Sequence, residues 1–240
     1  MSIYSLTYKL FGTSAILIEW PANIDENIIQ DIVIFERKIV RNKAILDTVI
    51  SYNSLLLKYR KGIPDFTSTT QQLKELYKTK VPIEKQPQRL WQIPVCYELS
   101  FGIDLEEIAN QKQCSIQEII DLHTAGNYLI YFIGFLPGFL YLGGLHPQLH
   151  SPRRSNPRVR VDKGAVGIGG AQTGVYPQDS SGGWNIIGKS PVNFFNIKKS
   201  NPCFAKLGDR IQFVSIELAV FHQLEKEVTD GTYTFKYTLL

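Results

Sequence analysis

Cysteine is scarce, charge imbalance is slight, and no apolar run is both long and unbroken. The three cysteines, Cys96, Cys114 and Cys203, are odd in number and far apart. That spacing argues against a disulfide framework or a zinc knuckle and fits a reducing cytoplasm. With 26 Lys+Arg against 22 Asp+Glu the net charge is +4, too mild to imply a nucleic-acid partner. Leu10–Trp20 is apolar, but Glu19 interrupts it and a basic leader is almost absent, so it does not read as a secretory signal. Tyr128–Leu145 carries no charged residue and approaches the length of a membrane span. Pro137 with Gly134, Gly138, Gly143 and Gly144 breaks it, so a buried strand entering a Gly/Pro loop is the better reading and no membrane is expected. There is no internal repeat, no low-complexity tract and no G-x-S-x-G hydrolase signal,. His146 and His150 straddle Pro147 with no carboxylate at ligand spacing, so no metal site is expected.

What is present is a globular composition, 44% hydrophobic and 20% charged over 240 residues, enough for two domains. In the first part, Tyr4–Leu10, Ala15–Trp20, Ala44–Ile50 and Ser54–Lys58 read as strands,. Asn23 or Asp25 caps a helix with an apolar stripe from Ile28 to Ile39, and Thr67 or Ser68 opens a second helix running to about Lys80,. Two helices on one face of an antiparallel sheet would bury these stripes. Val81-Pro82 ends the second helix, and Glu84-Lys85-Gln86-Pro87 reads as a linker,. The domains are therefore drawn at 1–86 and 87–240. In the second part Leu90–Val95 is a strand, Asp104–Ala109 a helix with acidic residues at its N-terminus, and Ser115-Ile116-Gln117-Glu118 a capping box for a helix reaching His123,. Short β-like runs follow at Tyr128–Ile133, Ala165–Ile168, Trp184–Ile187, Val192–Ile197, Arg210–Ser215 and Thr232–Tyr237, with a helix at Ile216–Val228. Their uneven spacing suggests a small barrel or sandwich with long loops.

Function is placed in Gly134–Pro191, which holds twelve of the eighteen glycines and half of the prolines. Glycine permits close backbone approach and proline stiffens turns. Arg153, Arg154 and Arg158 lie among Pro152 and Pro157, where guanidinium groups can fork onto carboxylate or phosphate. A solvated basic turn, or pairing with internal carboxylates, is the alternative. Gly183-Trp184-Asn185-Ile186-Ile187-Gly188-Lys189-Ser190 satisfies the P-loop expression, but Ser180-Ser181-Gly182 and no apolar strand precedes it, and Pro191 opposes a helix after it. His123 on a helix face reads better as a hydrogen-bonded structural residue than as a catalyst. Cys114 precedes a helix N-terminus, although an inert cysteine remains the default.

Ile93-Pro94-Val95-Cys96-Tyr97, Asp104-Leu105-Glu106 and Gly134-Phe135-Leu136-Pro137-Gly138-Phe139-Leu140-Tyr141-Leu142 then come together with three later blocks. These are Pro152-Arg153-Arg154-Ser155-Asn156-Pro157-Arg158, Gln172-Thr173-Gly174-Val175-Tyr176-Pro177 and Gly182-Gly183-Trp184. With them the chain resembles the 5-oxoprolinase B-subunit family, also called KipI, kinase A inhibitor or allophanate hydrolase subunit 1. The resemblance is dense from Gln92 to Pro191, and Ser51–Leu57 and Gly208-Asp209 fit it more weakly. It departs at Val161–Ala165, at Ser181 and at Gly188-Lys189-Ser190, where Gly-Arg-Thr is usual. It implies an α+β N-terminal domain followed by a mainly-β cyclophilin-like barrel. It implies a cytoplasmic subunit of an ATP-dependent hydrolase that converts 5-oxo-L-proline to L-glutamate with partner subunits A and C. Inhibition of a sporulation histidine kinase and a role in allophanate or urea degradation are the alternatives.

On that reading ATP, with Mg, activates the lactam oxygen before water attacks, and residue chemistry suggests the roles. Arg154, Gln172 and Tyr176 are assigned to catalysis. Arg153, Arg158, Thr173, Gly182, Gly183, Trp184 and Lys189 are assigned to substrate or phosphate. Phe135, Pro137, Gly138, Phe139 and Tyr141 form an apolar wall. With no recognisable nucleotide site or general base in any stretch, the pocket is expected to be completed by a partner and the isolated chain to be inactive.

Overall fold

The computed structural model describes residues 4–79 and 87–240, in a mixed α/β architecture of two compact units, Met1–Gln86 and Pro87–Leu240. The helix end at Val81-Pro82 and the linker Glu84–Gln86 lie outside the described residues.

In the first unit, β1 (Thr7–Leu10), β2 (Ala15–Glu19), β3 (Ile45–Ile50) and β4 (Ser54–Tyr59) form an antiparallel sheet of order β1-β2-β4-β3. Alternation puts Ile16 and Ile18 of β2 and Leu55 and Leu57 of β4 into the core,. α1 (Glu26–Ile39) is capped by the Asp25 carboxylate, and α2 (Phe66–Lys78) by Asp65, two residues before the expected Thr67. The helical stripe Ile28, Ile29, Ile32, Phe35 and Ile39 is buried throughout,. Asp31 locks this core by accepting from Trp20 Nε1 at 2.8 Å and from Tyr77 Oη at 2.5 Å.

The second unit runs β5 (Arg89–Val95), α3 (Leu105–Lys112), α4 (Ile116–Thr124), β6 (Tyr128–Ile133) and β7 (Leu140–Gly143). It continues with β8 (Arg158–Val161), β9 (Ala165–Gly169), β10 (Gln172–Val175), β11 (Ser180–Gly182), β12 (Asn185–Lys189), β13 (Arg210–Ser215), α5 (Leu218–Thr229) and β14 (Lys236–Leu239). Eight strands build one large sheet of order β12-β9-β10-β7-β6-β13-β5-β14, and β8 pairs with β11 apart from it. The closed cyclophilin-like barrel that the resemblance implies is not formed. β14 already takes one edge of β5 along Arg89–Gln92, so β12 meets this strand only at the single bridge Cys96↔Lys189. Val192–Ile197 is not a strand either. Val192 and Phe194 are buried alternately, as the pattern predicts, but they insert into the core as an irregular loop closed by Asn196 N–H to Pro202 C=O.

Two buried polar groups fix this unit. Asp209 accepts from the Arg89 amide, the Trp91 indole and the Lys206 amide, tying the turn before β13 to β5. His123, buried on α4, sits in a relay with Tyr97 and Thr173. Thr173 Oγ1 donates to Gly167 C=O at 3.0 Å, so it accepts from His123 Nε2–H, and Nδ1 accepts from the Tyr97 hydroxyl,. Burial pushes the His123 pKa down to about 3, and its ring stacks on Phe213. The neutral form is therefore the folded one. Between the unfolded pKa near 6.5 and about 3 the unfolded chain binds the extra proton, so stability falls on acidification. Denaturant melts of the wild type should lose stability below pH 6 at up to about 1.4 kcal/mol per pH unit more than His123→Gln. Parallel curves for the two proteins would refute a neutral buried imidazole.

Candidate functional site

The loop carrying the arginines is held by a carboxylate 50 residues upstream. Asp104 stands at the N-cap of α3 but does not cap it; its side chain turns instead towards β12 and the arginine loop. Oδ2 accepts from the Ile186 amide at 2.6 Å, while the Asp104 amide donates back to Ile186 C=O at 2.9 Å. Oδ1 accepts from Arg158 Nη2 at 2.6 Å and from Arg154 Nη1 at 3.1 Å. Asp104 is 2% exposed, so both guanidinium groups are needed to offset the desolvation of its charge. The chain reaches this position because Gly102 lies against β12, where a Cβ would come within 2.5 Å of Ile187 C=O,.

Arg154 Nη1 also bonds Glu107 Oε2 at 2.9 Å, and Glu107 followed by Asp104 holds its guanidinium pKa above the usual value. Its amide donates to Gly183 C=O, and Arg158 Nη1 reaches Trp184 C=O. Arg154 and Arg158 therefore join α3, the arginine loop and the start of β12 through internal pairing. In the sequence, Asp104 and Glu107 read as acids favouring a helix N-terminus, and Asp104 also as part of the Asp104-Leu105-Glu106 block. The nearest signal to their second role is the Gly102-Ile103-Asp104 sequence, which needs a close neighbour.

Arg153 is different. It is exposed, and among the described residues no carboxylate lies within ion-pair distance of it. Its guanidinium lies 5.9 Å from the Trp184 ring centroid, and Nη2 donates to Gln172 Oε1 at 3.2 Å, which leaves the Gln172 amide donors directed elsewhere,. Its positive charge favours the phenolates of Tyr176 and Tyr141, but burial dominates and raises both pKa values. Tyr176 is 2% exposed, and the Trp184 amide donates to its phenol oxygen. Gly182 packs on that phenol, which would collide with any Cβ there. Phe139, Tyr176 and Trp184 form one edge-to-face aromatic cluster, with Tyr141 against it,. Arg153, Gln172 and partly exposed Tyr141 thus come together as a rim over a firm floor of Phe139, Tyr176 and Trp184.

Other assigned residues lie elsewhere. Thr173 is fully buried in the His123 relay. Lys189 occupies the opposite end of β12 from Trp184, and its chain neighbour Ser190 has a buried hydroxyl with no hydrogen-bond partner among the described residues. The segment Gly183–Ser190 is mostly strand, with amides of β12 paired to β9, so it offers no phosphate cradle,. Phe135 is 61% exposed with φ of +62°, and Pro137 is exposed beside buried Gly138. Burial raises the Cys96 and Cys203 thiols above their ordinary pKa, so neither is an activated nucleophile,. Among the described residues, no group of three or more His, Cys, Asp or Glu is placed to hold a metal ion.

Asp104→Ala would leave two guanidinium groups and an amide without their shared acceptor. It should cost about 3–5 kcal/mol of unfolding free energy, the range for breaking a buried ion pair. A loss below about 1 kcal/mol in a denaturant melt would contradict the clamp, because that is the size of an exposed pair.

Residues 6–205 match the family model described as carboxyltransferase domain, subdomain C and D. A protein of Bacillus subtilis (strain 168), named as the B subunit of 5-oxoprolinase, is 45% identical over 139 residues, 58% of this chain and 58% of that relative. A Haemophilus influenzae protein of the same name is 36% identical over 194 residues, covering 81% of this chain and 89% of the relative. The crystal structure of the K. lactis urea amidolyase superposes with a TM-score of 0.84 over 99% of this chain and 16% of that one; at 16% identity this shows a shared fold. Identity of this level across most of both chains leads to one assignment: the chain belongs to the 5-oxoprolinase B-subunit family.

Proposed function

We propose that this chain is the B component of an ATP-dependent 5-oxoprolinase complex, hydrolysing 5-oxo-L-proline to L-glutamate together with subunits A and C in the cytoplasm. The observation that carries this reading is the 36% identity to a 5-oxoprolinase B subunit across 89% of that relative. Among the described residues no helix is long and apolar enough to cross a membrane.

Within the complex, Arg153 is the group that meets the substrate carboxylate. It is the arginine of the loop with no carboxylate in ion-pair range among the described residues, and its contacts with Trp184 and Gln172 remove part of its side-chain freedom before binding. Gln172 offers its amide donors to a lactam oxygen, and Tyr141 closes the rim. Arg154 and Arg158 are positioning residues that act through Asp104. ATP, with Mg, is assigned to another component of the complex, since the glycine-rich segment is a strand with its amides in a ladder. Phe135, exposed in a left-handed conformation that a large side chain adopts only at a cost,, is proposed as part of the interface with its partners. The isolated chain then has no turnover.

A second reading is a role in allophanate or urea degradation, the other activity that the family resemblance implies. Glutamate release from 5-oxoproline with ATP, measured with this chain plus subunits A and C, separates the two when allophanate is run alongside. In that assay Arg153→Ala should raise KM for 5-oxoproline roughly 10- to 100-fold, the worth of a charged hydrogen bond. Arg153→Lys should restore part of the loss, and the melting temperature should not move. An unchanged KM would remove Arg153 from the site.

A further inference from the structure

At the far end of β12 lies a recess of about 360 Å³, walled by the Asp162-Lys163 turn, Asp179, the Lys189–Asn193 segment and one face of α5. Its size falls at the lower end of small-molecule pockets, and its exposed lining is mainly polar, with Phe221, Val228, Val192 and Pro191 packed behind it,. Its charges divide into two sets. Arg160 is engaged, with Nε 3.3 Å from Asp162 and Nη2 2.8 Å from Asp179. Lys189 is held only loosely: its side chain is 26% exposed, and its Nζ pairs with Asp162 at 4.0 Å, beyond hydrogen-bond reach, and lies 5.5 Å from the Phe101 ring centroid. Its three N–H donors are open to a nearer acceptor. Among the described residues Lys163 has no carboxylate within ion-pair range, and Glu225 on α5 faces only the His222 imidazole at 3.5 Å.

A loosely paired cation, a second cation without a carboxylate partner and a carboxylate thus face the recess. We propose that the recess is a binding site for a free acidic α-amino acid, whose two carboxylates meet Lys189 and Lys163 and whose ammonium meets Glu225. This goes beyond the proposed function and does not depend on it, since binding requires neither ATP nor the other subunits.

Isothermal titration of the purified chain with L-glutamate tests the site, with glutarate and 5-oxo-L-proline as ligands lacking the ammonium. Saturable L-glutamate binding is expected, with glutarate and 5-oxo-L-proline at least tenfold weaker. Lys189→Met and Glu225→Gln should each weaken L-glutamate at least tenfold, and exposed Lys163→Ala should weaken it without disturbing the fold. The proposal fails if L-glutamate does not bind, if glutarate binds as tightly, or if none of the three substitutions matters. It fails equally if Arg153→Ala removes L-glutamate binding while Lys189→Met does not, which would place the ligand on the other rim.

Discussion

The buried Asp104 carboxylate is the constraint on which the functional face depends. A charge at 2% exposure is tolerated only when its lone pairs are filled,, and three donors from two distant stretches fill them: the Ile186 amide, Arg154 and Arg158. Because one side chain serves all three, α3, the arginine loop and β12 cannot shift independently. The loop is held at Arg154 and Arg158, and the prolines at 152 and 157 restrict what lies beside them. Arg153 is left outside the clamp with its guanidinium beside Trp184.

This arrangement separates rigidity from recognition. Arginines paired internally bring no charge to a ligand, yet they hold the neighbour that does. The aromatic cluster beneath, Phe139, Tyr176 and Trp184, supplies a floor that excludes water from the underside of the rim,. The strand character of β12, with no phosphate cradle in it, fits the division of labour proposed for a multi-subunit hydrolase, in which this chain positions a carboxylate substrate and another component handles nucleotide.

What is legible in the sequence is local. The capping box at Ser115 and Glu118, the α1 stripe and the Leu90–Val95 strand all rest on spacings within a few residues, and the structure holds them close to where those spacings place them. The P-loop expression fails on local context too, and β12 bears that out. The partner of the arginines is not legible, because Asp104 and Arg154 meet across 50 residues and nothing in either neighbourhood encodes the encounter. Val192–Ile197 shows the burial rhythm of a strand, but rhythm reports which face is inside and not whether a ladder partner exists. Thr173 looks like a surface donor among glycines, whereas the chemistry of His123 requires it within the core. Strand spacing suggests a barrel or sandwich and the resemblance implies a barrel, but neither fixes which edges pair, and β14 takes the edge of β5 along Arg89–Gln92.

The division between clamped and open arginines can be observed directly. In a complex assembled with this chain ¹⁵N-labelled at arginine, the side-chain Nε–H signals report each guanidinium separately as 5-oxo-L-proline is added. The account predicts that the Arg153 signal shifts with saturation while those of Arg154 and Arg158 stay in place. Movement of Arg154 or Arg158 with Arg153 unchanged would contradict it.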